Sequence, residues 1–161
     1  FHIIGDFFSL REREEYMSII KENHLAPYVI LHGRQAGQML DLLFELCDFG
    51  IGSLGRHRSG ITNIKTLKNR EYAARGIPFI YSEIDEDFEN MPYIMKIPAN
   101  EEAVDIKQIL NFYNQLHITP LEIRNSIRHL SWNNQMKKVL DEMQKKDKIN
   151  PNNNNIANFA T

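Results

Sequence analysis

The chain has 161 residues, which predicts one domain, and its 42% hydrophobic and 25% charged content is that of a globular protein, excluding a disordered, collagenous or coiled-coil chain. With 19 Lys and Arg against 21 Asp and Glu, the net charge is −2, and no global basic field marks nucleic acid as a partner. A single cysteine, Cys47, excludes a disulfide framework and a cysteine-based zinc site, and no apolar run approaches the roughly 18 residues of a membrane span. Phe1-His2-Ile3-Ile4-Gly5 predicts a buried strand. Ser9-Leu10-Arg11-Glu12 fits a capping box and opens a helix over about 10–23, with Tyr16, Ile19 and Ile20 as its apolar stripe. A second strand, Tyr28 to His32, stops at Gly33. Met39, Leu42, Leu43 and Leu46 then recur at helical spacing over about 35–47. Asp48 to Leu54 predicts a third strand, and residues 55–65 a polar surface loop.

Thr66 caps a predicted helix that runs to Arg75, with Gly76 behind it. Pro78 to Ser82 and Tyr93 to Ile97 predict the fourth and fifth strands, with an acidic loop between them. Three helices close the chain: about 101–116, one from Thr119-Pro120-Leu121-Glu122, and one from Ser131-Trp132 to about Lys145. Residues 1–146 read as one Rossmann-like α/β domain, a parallel sheet with helices on both faces. Residues 147–161 read as an Asn-rich tail, disordered or an arm. No signal peptide is visible, so the expected compartment is the cytoplasm. The start at Phe1, in mid-pattern and without a methionine, suggests a piece of a longer chain.

In a parallel α/β sheet, ligands sit at the carboxyl ends of the strands. The loops after Gly5, His32, Leu54 and Ser82 are therefore the places to look. Gly50 to Gly55 matches Gly-x-Gly-x-x-Gly, but its first two glycines fall inside a strand and no helix follows directly. They read as glycines that admit another backbone rather than as a dinucleotide fingerprint. Asp85-Glu86-Asp87, flanked by Glu83 and Glu89, reads as a solvated acidic loop rather than a metal site. The histidines are scattered, and no metal site is predicted. His32 ends a strand, where it lines a pocket or packs; Cys47 reads as core and Trp132 as the anchor of the last helix. Arg56-His57-Arg58 is a basic turn, either solvated or facing an anion. At the helix that begins near Thr66, unpaired first-turn amides can hold a phosphate, with Lys65 and Lys68 adding charge. Glu71, one turn in, is placed to accept from the vicinal hydroxyls of a ribose; its plainer reading is a surface partner for Arg75.

Asp48-Phe49-Gly50-Ile51-Gly52-Ser53-Leu54, the His57-Arg58 turn, Leu67 to Tyr72 and Ala74 to Pro78 together resemble the nucleotide-sugar-binding, C-terminal half of retaining glycosyltransferases of the GT-B fold. The likeness is to the bacterial group 1 (family 4) enzymes of capsular and other surface polysaccharides. Phe1 to Asp6, Val29 to Gly33 and Ser131-Trp132 are similar to further segments of that half. The resemblance implies donor contacts from Gly5, Gly33, Arg58, Asn63, Thr66, Leu67, Lys68 and Glu71. Glu71 matches the ribose-binding glutamate; Asn63 stands where the sugar-contacting glutamate is expected; Thr66 and Leu67 match positions whose amides hold the diphosphate. It implies no metal or other cofactor, a saccharide or lipid-linked acceptor bound by an absent N-terminal half, and a cytoplasmic enzyme able to associate with the inner membrane face. Two other classes are open: a nicotinamide- or flavin-binding oxidoreductase domain, and a non-catalytic α/β interaction module.

Overall fold

A computed structural model describes residues 1–149 of the chain, and the Asn-rich segment from Asn150 onward lies outside the described residues. The fold is α/β, in the Rossmann-like class. Parallel strands alternate with helices except between the last two strands, which no helix separates, and three helices follow the last strand. Two compact units divide the chain after Cys47.

The first unit holds β1 (His2–Ile3), α1 (Leu10–Glu22), β2 (Ile30–Leu31) and α2 (Gly37–Glu45). β1 and β2 pair in parallel, His2 opposite Ile30. Ser9 caps α1 by accepting the Glu12 N–H at 3.1 Å, but the Glu12 carboxylate reaches back to the Phe8 N–H, at 2.6 Å, one residue upstream of the expected capping box. Of the two apolar stripes, only Ile20 and Leu43 are buried. A sheet of two strands, each two residues long, offers little area for them to cover.

The second unit holds β3 (Gly50–Ile51), a 3₁₀ turn (Arg56–Ser59), α3 (Leu67–Arg75), β4 (Phe79–Tyr81) and β5 (Ile94–Lys96). It continues with α4 (Ile106–Asn114), α5 (Pro120–Ser126), a second 3₁₀ turn (Arg128–Leu130) and α6 (Trp132–Ile149). The strands order as β3-β4-β5, all parallel. β4 is central, and Phe79, Ile80 and Tyr81 are all fully buried, so both faces of the strand are dry. Phe79 is the hub of the core. Its ring meets Phe88 edge-on at 5.4 Å and lies 5.7–6.3 Å from Tyr72, Tyr81 and Tyr93. Ile64, Ala73, Ile123 and Ile127 complete the cluster.

Local signals hold in the helices. Thr119 and Glu122 form a full capping box with Pro120 in the first turn. Asp105 starts α4 by accepting the Lys107 N–H at 2.9 Å, which sets the helix start at Ile106 rather than near residue 101. Trp132 is not the expected anchor: it is 83% exposed at the first position of α6, and Leu130, two residues earlier, meets the core instead. Cys47 is half-buried rather than core.

Gly50, in β3, and Gly52, just after it, admit close neighbours, as their placement predicts. A Cβ on Gly50 would fall 2.7 Å from the Tyr72 ring, and one on Gly52 would fall 2.6 Å from the Ile80 carbonyl oxygen and 2.7 Å from Asn69 Oδ1. The Gly52 N–H donates to that same Ile80 carbonyl at 2.8 Å, so the strand cannot retreat without losing its ladder. Gly52→Ala is therefore expected to cost about 1–3 kcal/mol, as overpacking does, measured as a lowered urea midpoint at unchanged slope.

Candidate functional site

Parallel pairing brings the carboxyl ends of β3 and β4 to one edge of the second unit. The segment after β4 corrects the expected solvated acidic loop. Asp85 is fully buried and Glu83 nearly so. Burying a carboxylate is tolerated only where donors surround it, and the neighbouring segments supply them. Asp85 accepts from Asn69 Nδ2 at 3.1 Å and from both terminal nitrogens of Arg70 at 3.2 Å. Asp87 takes a further bond from the same guanidinium, which also stands 5.5 Å over the Phe88 ring. Behind it, Glu89 receives the Asp85 N–H at 3.1 Å, the Tyr81 hydroxyl at 2.9 Å and the Lys96 ammonium. Partial burial raises the Glu89 pKa, but the bonds from Lys96 and Tyr81 outweigh it and hold the group below its usual range. Burial and the same hydrogen bond push the Tyr81 phenol up.

Glu83 serves the other side of the edge. Its Oε1 accepts the main-chain N–H of Arg56 at 2.6 Å and of His57 at 3.3 Å, and lies 3.9 Å from His57 Nδ1. The expected loop at 55–65 is thus ordered by a 3₁₀ turn hung on a buried carboxylate. Glu83 Oε2 and His57 Nδ1 are buried without hydrogen-bond partners among the described residues. The basic turn does face an anion, one from the chain itself. Arg58 Nε donates to Glu101 Oε1 at 2.9 Å and Arg58 Nη2 to Oε2, while His57 Nε2 meets Oε1 at 2.9 Å. These bonds pull the Glu101 carboxyl down to about 2, the Arg58 bond most strongly.

The start of α3 is open. Thr66 takes the N-cap position, but its hydroxyl makes no cap bond and is buried without a partner among the described residues. Leu67 stands exposed on the first turn. Lys68, beside it, is held below the usual lysine range by partial burial first and by the Arg56 charge second. Lys65 lies 3.8 Å from Glu86. Asn63 is exposed and makes a parallel bridge with Ile84, flanked by main-chain bonds of 2.8 Å, so the predicted loop is strand-like there. Glu71 is 47% exposed and accepts from Arg75 Nε at 2.6 Å, its plainer reading, with much of the carboxylate still open to solvent.

In the first unit the Gly5 N–H donates to the Gly33 carbonyl at 2.8 Å. Both glycines border an open hollow of about 520 Å³ with Asp6, Phe7 and Ser9. His32 does not line it: its ring stacks on His2 at 5.0 Å, with Nε2 2.9 Å from His2 Nδ1.

No family model, curated protein or solved structure matches the chain.

Among the described residues no helix is long and apolar enough to cross a membrane, and no group of three or more His, Cys, Asp or Glu is placed to hold a metal ion. Sequence reasoning missed Asn69, Arg70, Glu83 and Glu101. The available signal was the coincidence of an acidic run after one strand with an Asn-Arg pair on the preceding helix, both bordering the same edge.

Asp85→Ala removes the buried acceptor of Asn69 and of two Arg70 nitrogens, leaving Arg70 its bonds to Asp87 and the Thr66 carbonyl, and is expected to cost about 1–3 kcal/mol, the range for a buried donor left unsatisfied. Equilibrium urea denaturation checks this. Glu89 and Glu101 both titrate lower in the fold than their ordinary value of 4.5. Their contribution is whole above that value and fades as pH falls through the folded pKa, to about 2 for Glu101. Acid titration followed by circular dichroism is expected to show unfolding shifted to higher pH in Glu89→Gln.

Proposed function

We propose that the chain is the donor-binding half of a retaining glycosyltransferase, which takes a sugar from a nucleotide diphosphate sugar and passes it to a saccharide or lipid-linked acceptor in surface polysaccharide synthesis. The observation that carries this reading is the open first turn of α3. Its amides are uncapped by Thr66, Lys68 stands on the turn, and Glu71 offers a half-exposed carboxylate one turn further on. The positive end of a helix suits a phosphate. A carboxylate one turn away suits the hydroxyls of the attached ribose. The order of the resembling segments along the chain supports the same reading.

On this reading the chemistry is electrostatic. Negative charge grows on the departing diphosphate as the bond to the sugar breaks. Amides fixed in advance at Thr66 and Leu67, with the Lys68 ammonium, would take up that charge without rearranging and without calling on a metal. Asn63 would face the sugar with an amide in place of a carboxylate. The acceptor and the closing of the cleft would come from a second half, in an enzyme working in the cytoplasm at or near the membrane face.

Titration of the ¹⁵N-labelled chain with UDP and GDP tests the proposal. Shifts are expected at the amides of Thr66 to Lys68, and Glu71→Ala is expected to weaken binding by about 1.5–3 kcal/mol, as for a hydrogen bond to a charged group. Asn63→Ala is expected to leave free nucleoside diphosphate binding nearly unchanged. Equal affinity in wild type and Glu71→Ala would leave Glu71 as a surface partner of Arg75 alone.

A further inference from the structure

Glu101 sits where an external anion would sit. Its two oxygens meet the Nε and Nη2 edge of Arg58, the side-by-side geometry by which a guanidinium takes a carboxylate or a phosphate, and His57 Nε2 shares Oε1. The receiving turn is built from below. The buried Glu83 carboxylate holds the main-chain N–H groups of Arg56 and His57, so the fork is presented by a fixed turn rather than a loose loop. By contrast, the bond to Glu101 is exposed: the Arg58 side chain is 70% and the Glu101 side chain 60% accessible. Exposed ion pairs of this kind contribute little and are easily exchanged. Glu101 also comes from the segment between β5 and α4, which belongs to no helix or strand, so a shift of its side chain breaks no sheet or helix hydrogen bond.

We propose that the Arg58–His57 fork is a phosphate-binding site that Glu101 occupies in the empty protein, and that a phosphate group of the ligand displaces the Glu101 carboxylate when it binds. Glu101 is then a built-in competitor that sets the threshold for anion binding. That the anion is the diphosphate of a nucleotide sugar rests on the donor-site reading; the displacement itself does not.

The test uses the 161-residue chain and inorganic pyrophosphate, read by the amide shifts of residues 56–59. Glu101→Gln is expected to bind pyrophosphate about threefold to fivefold more tightly than wild type, and Arg58→Ala to lose most of the binding. Glu102→Gln removes the same charge one residue along, outside the Arg58–Glu101 pairing, and is expected to match wild type. Displacement predicts that the Glu101 side-chain carboxyl resonance moves with the same midpoint as the 56–59 amides. Equal affinity in wild type and Glu101→Gln would overturn the inference, as would an equal gain in Glu102→Gln, or no binding in any variant. A gain in Glu101→Gln without preference for UDP or GDP over pyrophosphate, and without an effect of Glu71→Ala, would uphold the displacement and defeat the donor reading.

Discussion

The second unit depends on one carboxylate that water does not reach. Asp85 follows the central strand and lies under α3, and it is tolerated there only because Asn69 and Arg70 turn their donors toward it. Those two residues are consecutive on α3, so the bond fixes the helix both along its axis and in rotation. Arg70 also reaches back to the Thr66 carbonyl at 3.0 Å, which carries the constraint to the very start of the helix. The open turn that would receive an anion is thus held by a buried charge pair behind it. Preset amides are worth more than mobile ones because they need not be ordered when a ligand arrives.

Two acidic residues from one short segment serve opposite sides of the same edge. Asp85 holds α3, and Glu83 holds the basic turn after β3. The pattern places negative charge in the interior and leaves positive charge outward, on Lys68, Arg56 and Arg58. A near-neutral protein can build a local cationic edge this way, by burying the compensating carboxylates beneath it. The net charge of −2 conceals that arrangement.

The elements were legible in the sequence because their signals are local. Gly76-Ile77-Pro78 separates α3 from β4, Thr119 and Glu122 mark α5, and Ser9 marks α1, each within four residues. The burial of Asp85 is not local: it depends on donors 15 and 16 residues earlier, whose direction follows from helix phase. The tie between Glu101 and Arg58 spans 43 residues and cannot be anticipated from spacing. Trp132 misled for a different reason. Size and apolarity predict burial, but Trp132 is itself the first residue of α6 and Leu130 already occupies the approach to the core. Of the site, the start of α3 was legible from Thr66 and the basic residues around it, whereas the missing hydroxyl cap follows from where the Thr66 side chain is buried.

Gly50 and Tyr72 carry a consequence for how such a chain can vary. The strand presents no side chain at position 50, and the Tyr72 ring fills the notch from the helix above while its hydroxyl donates to the Ile51 carbonyl at 3.2 Å. Strand and helix thus share a single side chain's worth of volume. A larger residue at position 50 fits only with a smaller one at position 72, so a viable path between the two arrangements has to change both sites, and descendants of this fold are expected to inherit the two positions as a linked size pair.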